Sequence, residues 1–176
     1  MVSGAGAAHD ATAGPEGVIA HIRRMDRWTA HPAPDLPEGL ILFDGVCLFC
    51  SRWVRFVLTR DESRRFSFAT LQSPYGRAVA GQIGVEADDP ETNVVVLGGQ
   101  AMFKSDAAIG VLSALPGYGW ARVLKLAPKP LRDFAYDRIA RNRYRFFGKS
   151  EACFLPSAVD RTRFLDDAPP PGGPVP

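Results

Sequence analysis

A chain of 176 residues, 46% of them hydrophobic, holds enough apolar material for one compact core and is too short for two large domains. A formal charge of +2 gives no whole-chain bias toward nucleic acid or membrane, and no run approaches the ~18 consecutive apolar residues of a membrane-spanning helix. Three cysteines are too few for a structural disulfide framework.

In chain order, residues 1–17 are rich in Gly and Ala, lack a large apolar side chain after Val2, and predict a disordered start. With neither a basic opening nor an apolar run they do not read as a secretory signal, so the expected location is cytoplasmic and reducing. Val18 to Trp28 predicts a short helix with Val18, Ile19, Ile22 and Met25 on one face. HPAPDLPEG, His31 to Gly39, carries three prolines and predicts an extended linker. Leu40 to Phe43 is an apolar run ahead of the Asp44-Gly45 turn, hence a buried strand. A helix follows from Val46 or Cys47 to Thr59. RFSFAT, Arg65 to Thr70, alternates as a half-buried strand does. Pro74 to Gln82 predicts a helix capped by Ser73. Asn93 to Leu97 is a β-branched strand, Gly98-Gly99 a hairpin turn, and Ala101 to Phe103 the partner strand. Ser105 or Asp106 then caps a helix that Pro116-Gly117 stops after Leu115. Gly119 to Leu126 and Leu131 to Phe147 predict two more helices, and APPPGGPVP a disordered tail.

This order gives an α/β fold: a mixed sheet of about four strands flanked by helices, with a helical C-terminal extension. The expected divisions are a disordered segment with a short helix and Pro-rich linker (1–38), a core (39–118), a basic helical extension packed on it (119–166) and a disordered tail (167–176).

Cys47 and Cys50 form a C-x-x-C directly after the first strand and its turn. Haem attachment requires a following His, and Ser51 stands there instead. Structural zinc needs about four ligands, and only Cys153, His9, His21 and His31 remain, without ligand spacing. Two small buried hydrophobes are the plainest alternative. At the start of a helix, however, the Cys47 sulfur lies near unpaired N–H groups and the positive dipole end, which favour its thiolate. Cys50 shares a face with Trp53, Val54 and Val57, the face that should meet the sheet. The expected pair is therefore an accessible, acidic Cys47 that attacks a disulfide and a sheltered Cys50 that resolves the product. No bound metal or flavin is expected; the electrons come from glutathione or a partner reductase. Asp44 is a candidate base near the thiols, although a carboxylate there opposes thiolate formation, and a capping or turn-fixing role fits it better.

The segments FDGVCLFC, RWVRFVLTRD, FATLQSPYGRA, FKSDAAIGVL and RNRYRFFGKSEAC resemble, in order, those of the DCC family of thiol–disulfide oxidoreductases, named for the pattern standing here as Asp44, Cys47 and Cys50. The resemblance implies a thioredoxin-like core and dithiol chemistry on a protein disulfide or glutathione. It also implies a substrate edge ahead of the third strand. There Thr92 and Asn93 replace the usual cis-proline, with Pro90 too early, and they become candidates for main-chain bonds to a substrate. By the same likeness, Ser105 and Asp106 would hold a glutathione carboxylate at a helix N-terminus; an ordinary cap is the plainer alternative.

The stretch Trp120 to Lys149 is strongly basic, which suits an acidic protein partner, an anionic membrane surface or RNA, although no nucleic-acid motif is present. The plainer alternative is a solvated helix face over a stripe formed by Tyr136, Ile139, Ala140, Arg143, Tyr144 and Phe147. If the thiols are incidental, the chain is a binding module working through this basic helix.

Overall fold

A computed structural model of the chain describes residues 28–88, 92–148 and 156–169. Residues 1–27, which hold the expected helix up to Trp28, together with Pro90, Cys153 and most of the expected tail, lie outside the described residues. The elements are β1 (His31–Pro32), β2 (Leu40–Phe43), α1 (Leu48–Arg60), β3 (Ser67–Thr70), α2 (Pro74–Gln82), β4 (Val94–Leu97), β5 (Gln100–Phe103) and α3 (Lys104–Ala114). A 3-10 helix over Gly119–Leu126, α4 (Lys129–Phe147) and a 3-10 turn at Arg161–Arg163 complete the order.

The strands form one mixed sheet in the order β1-β5-β4-β2-β3, with β2 and β3 parallel and the other pairs antiparallel. A βαβ unit followed by a hairpin, with the hairpin strand beside the first strand, is the thioredoxin-like arrangement. Strand β2 explains its own burial. Alternate residues point to opposite faces, and both faces are covered. Leu40 and Leu42 join Val94, Val96, Tyr75 and Val79 under α2. Ile41 and Phe43 join Phe68, Val95, Val54, Val57, Ala107 and Val111 under α1 and α3.

Two sequence expectations are corrected. The proline-rich linker begins with a strand: His31 and Pro32 pair with Ala101 and Gln100, which makes five strands rather than about four. Pro32 is tolerated because it sits at the sheet edge, where its missing N–H has no ladder partner to lose. The segment Gly119–Leu126 is a 3-10 helix, the tighter form in which every third residue eclipses. At the hairpin, Gly98 and Gly99 both take positive φ, 62° and 68°, as the primed turns that match strand twist require.

Ser73 caps α2 by accepting the Gly76 N–H at 3.0 Å, with Pro74 in the first turn. That cap brings Gly76 against β3: a Cβ there would stand 1.9 Å from the Thr70 carbonyl oxygen. Gly76→Ala is therefore expected to destabilise the fold by about 1–3 kcal/mol through backbone displacement. Gly81→Ala lies in the same helix with nothing within 4 Å and is expected to stabilise it by about 0.5–1 kcal/mol. Urea midpoints moving in opposite directions would verify both.

The C-terminal segment returns to the β3 edge. Phe164 bridges Phe68 in parallel, the Leu165 N–H donates to the Phe68 carbonyl at 2.8 Å, and the Thr70 N–H donates to Asp166 at 2.7 Å. These contacts close an otherwise open sheet edge. Arg163 anchors the segment with a buried ion pair to Asp61 and a bond to the Phe66 carbonyl at 3.0 Å.

Candidate active site

The turn after β2 delivers Cys47 to the mouth of α1. Asp44 shapes it: its carboxylate accepts the Val46 N–H at 3.2 Å and the Gln72 side-chain amide at 2.9 Å, while Gln72 accepts the Gly45 N–H at 3.0 Å. Cys47 is itself the N-cap. Its sulfur accepts the Cys50 N–H at 3.3 Å. Asp44 thus fixes the turn, and the capping role belongs to the thiol. Among the described residues Cys47 and Cys50 are free thiols.

The acidities of the two thiols diverge. The Cys47 thiol is lowered to about 7, first by the hydrogen bond from the Cys50 side chain and then, against burial, by the Cys50 N–H. Asp44 and Arg143 act on this sulfur with opposite signs. Cys50 is pushed up, first by the bond it makes to Cys47 and then by burial. The thiolate fraction of Cys47 is expected to rise from about a tenth at pH 6 to about nine-tenths at pH 8. Its alkylation rate should climb over that range and level off above it; a midpoint near the ordinary thiol value would contradict the geometry.

Exposure runs opposite to expectation. The Cys47 side chain is fully buried at 0%, whereas Cys50 is half-buried and lines a cavity of about 220 Å³. There are two causes. Capping turns the Cys47 sulfur back toward the helix. And α4 lies across the mouth of α1: the Tyr144 hydroxyl donates to Asp44, Arg143 stands 3.7 Å from the same carboxylate, and Phe147 packs on Phe49 at 4.7 Å between ring centroids. Tyr136, Ile139, Ala140 and Arg143 form one wall of the cavity. The stripe read from the sequence as ordinary core therefore roofs the thiol site.

Asn93 lines the cavity with Thr92, but its N–H already donates to the Tyr136 hydroxyl at 3.0 Å, and that hydroxyl donates back to the Asn93 side chain at 2.8 Å. The Thr92 hydroxyl accepts the Lys104 N–H at 2.8 Å. Ser105 and Asp106 do not cap α3, which begins one residue earlier at Lys104 without a side-chain cap. Both turn to α4 instead, Asp106 to Arg132 at 2.8 Å and Lys129 at 3.2 Å, Ser105 to Asp133. Neither lines the cavity. Lys104 adds a bridge to Asp137 at 2.8 Å, so the first turn of α3 is tied by charges to the first half of α4. Sequence reasoning left Gln72, Tyr136, Arg143 and Tyr144 without a place at the thiols. The helical spacing of the last three was the available signal. Among the described residues there is no cluster of three or more His, Cys, Asp or Glu that could hold a metal.

A profile of the DCC1-like thiol-disulfide oxidoreductases matches residues 41–149, from the middle of β2 to just beyond α4. The chain belongs to the DCC1-like thiol-disulfide oxidoreductase family. The match takes in both cysteines and the roofing helix together. Among curated proteins, the chain is 42% identical over 131 residues to the uncharacterized protein YuxK of Bacillus subtilis (strain 168), covering 74% of this chain and 96% of YuxK. It is 37% identical over 118 residues to the chloroplastic DCC family protein At1g52590 of Arabidopsis thaliana, covering 66% of this chain and 69% of that one. No solved structure gives a significant match. Membership in the DCC1-like family supports a thiol–disulfide redox role for the close Cys47–Cys50 pair.

Proposed function

We propose that the pair catalyses thiol–disulfide exchange, with Cys47 as nucleophile and Cys50 as resolving thiol. The observation that carries this reading is the helix-capping sulfur of Cys47, lowered to about 7 by the Cys50 side chain and N–H. In the reductive direction the Cys47 sulfur, covered by the last turns of α4, is reached when those turns lift, and its thiolate then attacks one sulfur of a substrate disulfide. That S–S bond breaks, its other sulfur leaves as a thiolate, and a Cys47–substrate disulfide forms. Cys50 then passes its proton to the first departed thiolate, attacks the Cys47 sulfur and expels the second substrate thiolate. Two electrons have passed to the substrate, and a Cys47–Cys50 disulfide remains. Two thiol equivalents, from glutathione or a partner reductase in a reducing compartment such as the cytosol, restore it. Asp44 acts as a positioning residue that holds the turn presenting Cys47, and Thr92 and Asn93 contact the substrate at the cavity wall.

Cys50 lines the cavity and Cys47 does not, so a substrate meets the Cys47 sulfur only when the last turns of α4 shift. A low-molecular-weight disulfide needs a smaller opening there than a protein segment, and the Tyr144–Asp44 bond ties those turns down. The direct test is capture of the intermediate. Cys50→Ser, incubated with a small aromatic disulfide, is expected to accumulate a mixed disulfide on Cys47, identified by peptide mass spectrometry. Cys47→Ser is expected to accumulate far less. Equal trapping by both variants, or an adduct on Cys50 in the unaltered protein, would reverse the roles and overturn this assignment.

A further inference from the structure

The 3-10 helix has three faces. Ala121 is buried, whereas Trp120, Val123 and Leu126, every third residue and hence on one eclipsed edge, are 62%, 62% and 84% exposed. Arg122 and Lys125 form the remaining edge and are exposed as well. Ala127-Pro128 then turns the chain into α4, whose outer ridge opens with exposed Leu131 and Phe134. At helical spacing the same ridge continues through Arg138, Arg141 and Arg145, all exposed.

The charges on this surface have one sign. From Pro116 to Arg132 the sequence holds no Asp or Glu. The two acids of α4, Asp133 and Asp137, turn inward to Lys129 and Lys104. The side chains left facing outward are large apolar groups at one end and cations beside them, and Arg122 and Lys125 have no ion-pair partner among the described residues.

We infer that this face docks the protein on an anionic lipid bilayer. A tryptophan and aliphatic side chains that protrude, rather than line a groove, suit shallow insertion at the headgroup level, and flanking cations add attraction to acidic lipids. A second copy of the chain fits worse. An isologous contact through this patch sets Arg122 and Lys125 against their own counterparts. An acidic protein would satisfy the cations but leaves the protruding Leu126 edge needing a matching pocket.

Sedimentation of the full chain with vesicles tests the inference. Binding is expected to phosphatidylcholine vesicles containing about a third phosphatidylglycerol and to weaken as salt rises, with little binding to pure phosphatidylcholine. Trp120→Ser/Val123→Ser/Leu126→Ser and Arg122→Glu/Lys125→Glu are each expected to lower the partition coefficient about tenfold or more. All five positions are exposed, so the variants should keep the native circular dichroism. Tryptophan emission should shift to shorter wavelength on binding in the unaltered protein and not in the triple variant, which keeps Trp28 and Trp53. Absence of binding to the acidic vesicles, or equal binding by the triple variant, overturns the inference. So does light scattering that shows a dimer abolished by the triple variant while vesicle binding is absent.

Discussion

Replacing Cys47 with serine is expected to lower disulfide reduction by about three orders of magnitude or more, to the uncatalysed background, with a small aromatic disulfide as substrate. A serine hydroxyl neither ionises near neutrality nor forms a bond to sulfur that a second thiol can resolve. The substitution is unusually clean because serine is a preferred N-cap, so the start of α1 should survive and the urea midpoint should stay close to that of the unaltered protein. The neighbouring thiol supplies a second readout. Cys50 is pushed up mainly by its bond to Cys47. Without that partner its alkylation should titrate lower than in the unaltered protein, nearer an ordinary thiol. Retained turnover in the variant would remove Cys47 from the chemistry. An unchanged Cys50 titration would mean that the two sulfurs are not coupled.

The largest effect on stability is expected at Asp61, far from the thiols. Asp61 is the C-cap of α1 through its backbone N–H, and its carboxylate accepts the Arg65 and Phe66 N–H groups at 3.0 and 2.9 Å and pairs with Arg163, both side chains being almost fully buried. Asp61→Asn leaves a guanidinium buried without its counter-charge, at a cost of about 3–5 kcal/mol. Against a domain stability of about 5–15 kcal/mol, that is a large share of the whole. The exposed pair Arg77–Asp88, 2.7 Å apart, is the control. Solvent screens it, and Arg77→Ala should leave the urea midpoint unmoved. If the two variants behave alike, burial is not what gives the Asp61–Arg163 pair its weight.

Much of the fold was legible because its signals are local. Leu40 to Phe43 buries both faces, so it is apolar throughout. Gly98-Gly99 needs two positive φ angles, and Ser73-Pro74 is a cap followed by a residue without an N–H. The C-x-x-C and its place at a helix start were equally plain, whereas the unequal acidity comes first from the bond between the two side chains. What escaped depends on contacts between distant segments. His31-Pro32 becomes a strand only because the edge of β5 is there to receive it. Lys104 rather than Ser105 opens α3, because the Thr92 hydroxyl takes its N–H. The stripe Tyr136, Ile139, Ala140 and Arg143 was visible, but periodicity tells only that a helix face is covered. That the covered object is a pair of sulfurs, and that the more acidic sulfur is the more enclosed, rests on Tyr144 reaching Asp44 across 100 residues of sequence.

That enclosure bears on the lifetime of the protein under oxidative stress. Peroxide carries a thiolate through sulfenic to sulfinic acid, the second step being irreversible for most proteins, at a rate that follows both ionisation and exposure. Cys47 has the ionisation without the exposure. An oxidant that enters the cavity meets Cys50 at its wall, where the raised pKa keeps the sulfur protonated and slow to react. A sulfenic acid formed on either residue has a thiol beside it with which to condense, which diverts the oxidation to the reducible disulfide ahead of the irreversible step.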